Sequence, residues 1–195
     1  MVKNKSSSLF NMAAILTLVC ASSALMLGLV HSLTEKPIAE AQKQKEIQAI
    51  SEVIYTDFNN NPYEEVHFIA TADGKDKLSL YPVRQDKHMN SVAIKTFSDN
   101  GFGGRIELIV GFFLDGTINK YKVISHKETP GLGTKVTEEK FSSQFQGLNP
   151  GKGYFKVKQD GGEIDAVTAA TISSRAVVDA IQKAYDAYNK LSTGN

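Results

Sequence analysis

The sequence predicts an α+β protein: one N-terminal transmembrane helix, then a single domain with an antiparallel sheet and a C-terminal helix. Three observations carry this. An uncharged apolar run, LFNMAAILTLVCASSALMLGLV, fills Leu9 to Val30. Strand-like segments dominate from Glu65 to His126. The last stretch, Ile172 to Leu191, returns its apolar residues at helical spacing. Strands followed by helices argue for α+β rather than a parallel sheet.

The apolar run would extend about 33 Å as a helix, enough for a hydrocarbon core of about 30 Å. Lys3 and Lys5 precede it and no acid does. The positive-inside rule then leaves residues 1–8 in the cytoplasm, residues 9–31 as the span and the remainder outside. The run is longer than a signal-peptide core and ends in LVHSLTEK without an A-x-A-like site, so a retained anchor is expected. Residues 32–52 read as a separate stalk helix. Thr34 is placed to cap it and Pro37 to occupy its first turn, with a sparse stripe of Ile38, Ile47, Ile50 and Ile54 that leaves packing on the domain open.

From residue 53 to 195 the chain is long enough to bury its own core. Glu65–Ala72, Lys77–Val83 and Ala93–Thr96 read as strands. The firmest signal is RIELIVGFFLDGTINKYKVISH, where Asp115-Gly116 marks a two-residue hairpin between β-rich runs. Ile106 to Leu114 is apolar at most positions, which predicts burial on both faces. Thr137 heads a short capped helix carrying Phe141 and Phe145. Tyr154–Val157 and Glu163–Val167 are short strand candidates.

Composition excludes several functions. With 22 basic and 21 acidic residues the net charge is +1, which leaves no electrostatic footprint for nucleic acid. The single cysteine, Cys20, allows no internal disulfide. The four histidines show no ligand spacing, so no metal site is expected. No phosphate-binding P-loop, nucleophile elbow or zinc-protease motif occurs, and no catalytic set is expected.

Three segments remain. GFGGRI, Gly101–Ile106, holds glycines suited to close backbone approach. HKETPGLGT, His126–Thr134, fits a type II turn at Pro130-Gly131 and sets Glu128 and Thr129 beside Leu132. DAVTAATISSRAV begins at Asp165 and gathers Thr168, Thr171, Ser173 and Ser174 at a helix start. Hydroxyls there serve as caps, or they stand where unpaired amides and the helix dipole hold an anion.

Together these segments resemble the covalent FMN-binding domain family, whose motifs read D-x-x-[S/T]-G-A-T-x-[S/T] and H-x-E-T-P-G-L-G. With the N-terminal span, the resemblance covers nearly the whole chain. It points to the G subunits of the Rnf ion-translocating electron-transport complexes, with the C subunits of sodium-pumping NADH:quinone reductases similar. It implies FMN joined by a phosphoester to Thr171. It also implies cofactor contacts from Glu128, Thr129, Gly131, Leu132, Thr168, Ala170 and Ser174.

No histidine or lysine adjoins Thr171 to activate it, so self-catalysed attachment is not expected; the resemblance implies a separate flavin transferase that reads Asp165, Thr168 and Thr171. Lys156 or Lys158 would help to hold the phosphate. The implied partners are the other membrane subunits of a complex that moves electrons between ferredoxin and NAD and pumps Na⁺ or H⁺ at the inner membrane. The sequence departs from the motif at Ala169, where glycine is usual; if that position needs positive φ, alanine costs about 1 kcal/mol. Two other classes stay open: a tethered binding module without cofactor, and an extracytoplasmic Ser/Thr hydrolase.

Overall fold

The structure is a computed structural model that describes residues 5–54, 58–71, 74–86 and 88–193. It divides into two compact units, residues 1–44 and 45–195. The first unit is helical throughout its described residues, and its side chains from Leu9 onward are exposed. The helix, α1 (Lys5–Val53), contains a stretch long and apolar enough to cross a membrane.

The expected break between span and stalk does not occur, because α1 runs on through Thr34 and Pro37. Thr34 is not a cap. Its hydroxyl donates back to the carbonyls of Val30 and His31, at 2.8 and 3.3 Å. Such back-bonding is the alternative role of threonine inside a helix. Pro37 withdraws one donor from the ladder without ending it.

In the second unit five strands form an antiparallel meander in the order β1 (His67–Ala70), β2 (Lys77–Gln85), β3 (His88–Gly101), β4 (Gly104–Phe113), β5 (Ile118–Ser125). Alternation along the strands divides the core. Leu80, Val92, Ile94, Leu108, Val110 and Phe112 face one side, with Val177, Ala180, Ile181 and Ala184 of the C-terminal helix. Tyr81, Val83, Ala93 and Ile109 face the other, with Ala49, Ile50 and Val53. The central strand β4 is thus buried on both faces, as its apolar run predicts.

The stalk reading needs correction at its C-terminal end. Ala49, Ile50 and Val53 are 2%, 2% and 0% exposed, so the last turns of α1 are part of the domain core. The Val53 carbonyl accepts a 2.6 Å hydrogen bond from the Asn119 side chain. It also lies where a Cβ on Gly111 would stand, so glycine at this point of β4 admits the helix end.

Three other expectations change. The Asp115-Gly116 turn is a three-residue loop, Leu114–Gly116, inside the Phe113–Thr117 backbone pair. Gly116 takes φ +79°, and Asp115 accepts the Thr117 amide at 2.9 Å, which draws Thr117 into the turn. The short helix α2 (Glu139–Ser142) has no Thr137 cap, since that hydroxyl donates to the Thr134 carbonyl. Tyr154–Val157 and Glu163–Val167 form no strands, only one parallel bridge between Val157 and Ile164. Gly161 and Gly162 follow a 3-10 turn there and fold the chain back before a ladder can extend.

The final helix, α3 (Thr171–Thr193), lies along β3 and β4. Polar bonds fix its axial position. Thr96 donates to the Ala180 carbonyl (2.8 Å), Ser98 to Asp179 (2.6 Å) and Tyr188 to the Leu114 carbonyl (2.6 Å). Burial raises the pKa of Tyr121, whose hydroxyl donates to the Val136 carbonyl at 2.6 Å.

Candidate functional site

The three glycine- and hydroxyl-rich segments meet at the start of α3. The first is the hairpin tip Phe102–Gly103 between β3 and β4, closed by the Gly101–Gly104 pair. The second leaves β5 at Ser125. Its Thr129–Leu132 turn closes with a Leu132 amide to Thr129 carbonyl bond of 3.2 Å, and Gly131 has φ +75°. Positive φ at the third position, after proline, is the type II requirement that the sequence anticipates. The third segment runs through 165–170 into α3.

Glu128 joins all three. It is 5% exposed. One carboxylate oxygen accepts the Gly103 amide at 2.9 Å, and the other accepts the Ser173 hydroxyl in the first turn of α3. Gly133 packs beneath: a Cβ there would meet Glu128 and Ser173 at 2.5 and 2.8 Å. A buried carboxylate with two donors is the satisfied case for a charge out of water. Both of its oxygens already accept hydrogen bonds, and among the described residues no hydrogen bond joins it to Thr171.

Between these segments lies an open cleft of about 360 Å³, bordered by Phe102, Glu128, Thr129, Leu132, Ala170 and Thr171. Thr171 is the first residue of α3 and is half-buried. The earliest α-helical bond runs from the Ser174 amide to the Ala170 carbonyl. Among the described residues, none accepts from the amides of Thr171, Ile172 or Ser173. Such amides, at the positive end of a 23-residue helix, favour an anion.

Ala169 sits at φ +61°. The position where the motif carries glycine therefore does take the left-handed conformation, and alanine tolerates it at a steric cost.

The sequence-predicted residues separate into groups. Glu128, Thr129, Leu132, Ala170 and Thr171 share the cleft. Gly131 forms the adjacent turn without bordering it. Thr168 is exposed and faces a smaller neighbouring groove with Asp165, Lys135 and Phe141. Ser174 is fully buried; its hydroxyl donates to the Ala170 carbonyl and accepts the Val167 amide, both at 3.0 Å. It shapes the approach to the helix and does not reach the cleft.

The two serines thus lie in the first turn, as expected, but they brace neighbouring segments instead of capping free amides. Lys158 pairs with Asp165 at 2.8 Å, and Arg175 makes a two-pronged contact with Asp160 at 2.7 Å. That contact holds the Asp160 carboxyl below its ordinary pKa. Phe102 and Ile172 also border the cleft without a part assigned to them by the motifs, and so does Ser173, the last position of the threonine motif. An apolar residue amid glycines at a hairpin tip was the available signal for Phe102.

Residues 101–186 match the FMN-binding domain family and residues 1–53 match the RnfG N-terminal region. The chain is similar to the G subunit of the ion-translocating oxidoreductase complex of Vibrio cholerae, 33% identical over 88% of this chain and 85% of that one. The corresponding G subunits of Salmonella typhi and Escherichia coli are 34% and 31% identical, over 87% of this chain and 85% of each. A crystal structure of the C subunit of the Na⁺-translocating NADH-quinone reductase from Parabacteroides distasonis shares the fold. It has a TM-score of 0.55 and 18% identity, covering 80% of this chain and 96% of that one. With its two matched regions and relatives aligned along most of their length, the chain belongs to the family of G subunits of ion-translocating oxidoreductase complexes.

Proposed function

We propose that this chain is the flavoprotein component of a membrane-bound ion-translocating electron-transport complex and carries FMN as a phosphoester on Thr171. One observation carries the site assignment. Three segments distant in sequence, 101–106, 126–134 and 165–174, converge on a cleft at whose edge a reachable threonine begins a helix with unengaged amides. These residues fit the group. The amides and helix dipole suit the remaining charge of a phosphodiester, and Thr129 with the nearby turn supplies polar edges. FMN, when bound, supplies the capacity to take up and release electrons; the chain supplies its position and electrostatic surroundings.

Attachment requires the Thr171 oxygen to bond to phosphorus while the pyrophosphate bond of FAD breaks, releasing AMP and the hydroxyl proton. Glu128 is engaged by Gly103 and Ser173, so a separate flavin transferase is the reading for this step. Asp165 and Thr168, exposed beside the neighbouring groove, are the features offered to it. The other membrane subunits are the electron partners. Ferredoxin and NAD are the terminal couples of the complex, and this chain touches neither.

The test is in-gel flavin fluorescence on denatured protein co-expressed with a flavin transferase. Thr171→Ala is expected to go dark while Thr168→Ala stays fluorescent. A fluorescent Thr171→Ala band would overturn the site assignment, and a dark wild type the flavoprotein reading.

The domain is placed outside the cytoplasm on the strength of Lys3 and Lys5 before the span. A reporter active only in the cytoplasm, fused after Asn195, is expected to be silent. Strong reporter activity would reverse the topology.

A further inference from the structure

We propose that Phe102 forms an aromatic wall for the flavin ring and that Glu128, through the Gly103 amide, is the positioning residue that holds it there. The inference rests on the flavin reading above and adds to it a residue outside the motif positions that the family resemblance assigns to the cofactor.

Phe102 is 69% exposed at the tip of a two-residue hairpin turn. No core contact accounts for an aromatic residue there. The tip is nevertheless held on its inner side. Gly103 donates to Glu128, and Glu128 in turn accepts from Ser173 on α3. A Cβ on Gly103 would run into the Lys127 carbonyl, and one on Gly101 would stand 2.7 Å from the Glu128 carboxylate. The glycines thus let the tip press against the 126–134 segment, which holds the backbone of Phe102 at the edge of the cleft.

Leu132 and Ile172 border the same cleft, 44% and 47% exposed. Single exposed apolar side chains are ordinary, but three around one cleft form a patch that asks for an apolar partner. A ligand anchored at Thr171 by its phosphate, with a flat aromatic ring at its other end, satisfies both the amides at the helix start and this patch. Aromatic faces gain from offset or edge contacts beyond simple area burial.

The protein contains no tryptophan, which allows a test by gain of signal. An indole in contact with a flavin transfers an electron to the excited ring and darkens its emission. Full-length protein in detergent, co-expressed with a flavin transferase, is compared as wild type, Phe102→Trp and Tyr154→Trp. Tyr154 is equally exposed at 74% but does not border the cleft.

Phe102→Trp is expected to lose most of its native flavin emission and to recover it on denaturation. Tyr154→Trp is expected to emit like wild type. Adding Gly103→Ala to Phe102→Trp should displace the tip and restore native emission. Undiminished emission from a fully flavinylated Phe102→Trp protein would overturn the wall, and a fully flavinylated double variant that stays dark natively but emits on denaturation would overturn the holding of the tip through Gly103. Absence of covalent flavin from wild type would instead overturn the reading beneath both.

Discussion

The two faces of the sheet are built by opposite means. On the face that receives the end of α1, apolar side chains meet apolar side chains, and the special device is a glycine notch in β4 with the Asn119–Val53 bond beside it. At the edge of the other face, where α3 begins, a buried carboxylate, a buried serine and close-packed glycines lie under exposed apolar residues. The first arrangement follows the rule of apolar inside and polar outside. The second inverts it locally. Such inversions stabilise little by themselves and point to something that binds.

The contrast makes removal of the helix dock the largest expected effect. A chain beginning at Ile54 would lose Ala49, Ile50 and Val53 from the core. At roughly 1.5–3 kcal/mol for each large buried apolar side chain, this is a sizeable part of a typical domain stability. Circular dichroism is expected to show it unfolded, whereas a chain beginning near residue 34 folds without the span. A folded chain from Ile54 would show that the helix end is dispensable.

Gly111→Ala comes next. Its methyl group meets the Val53 carbonyl, and overpacking at a rigid contact costs about 1–3 kcal/mol. A lowered urea midpoint with an unchanged slope is the expected readout.

On the cleft side, Ser173→Ala removes one of the two donors to the buried Glu128. An underserved buried acceptor costs about 1–3 kcal/mol. Chemical denaturation should show this loss, with faster amide exchange at Gly103. Protection at Gly103 equal to wild type would mean that Glu128 does not couple the segments.

The smallest change has the opposite sign. Ala169→Gly relieves the left-handed strain at φ +61° but loosens the unfolded chain, leaving a net gain of about 0.5 kcal/mol. A thermal midpoint below that of wild type would contradict the strain.

Much of the fold was legible because it is written locally. The uncharged run, the apolar strand read from Ile106 to Leu114, of which Leu114 lies exposed in the turn, and the periodic helix from Ile172 are each signals within one segment. The errors fall where distant residues decide. Residues 32–52 carry too weak a stripe to reveal that Ile50 and Val53 meet Ile109 in one core cluster. Strand β3 extends from His88 to Gly101, well beyond Ala93–Thr96, since its polar ends pair with β2 on one side and β4 on the other.

The site shows the same division. Thr171, Glu128 and the Pro130-Gly131 turn stand out through their motifs. Phe102 acquires a role only when the chain folds, through a tip pinned by Glu128, and Ser173, a motif position, shows only there its bond to the same residue. Thr168 and Thr171 belong to one motif, yet they open on different grooves.

The dock of the helix end on β4 also has a meaning in time. Val53 and its partner Asn119 lie 66 residues apart, so during synthesis the last turns of α1 exist well before the surface that receives them. Until β4 and β5 have followed, Ile50 and Val53 wait uncovered next to a hydrophobic anchor. The sheet therefore closes upon an element made earlier, and the domain reaches its native state only when its oldest segment finds its youngest partner strands.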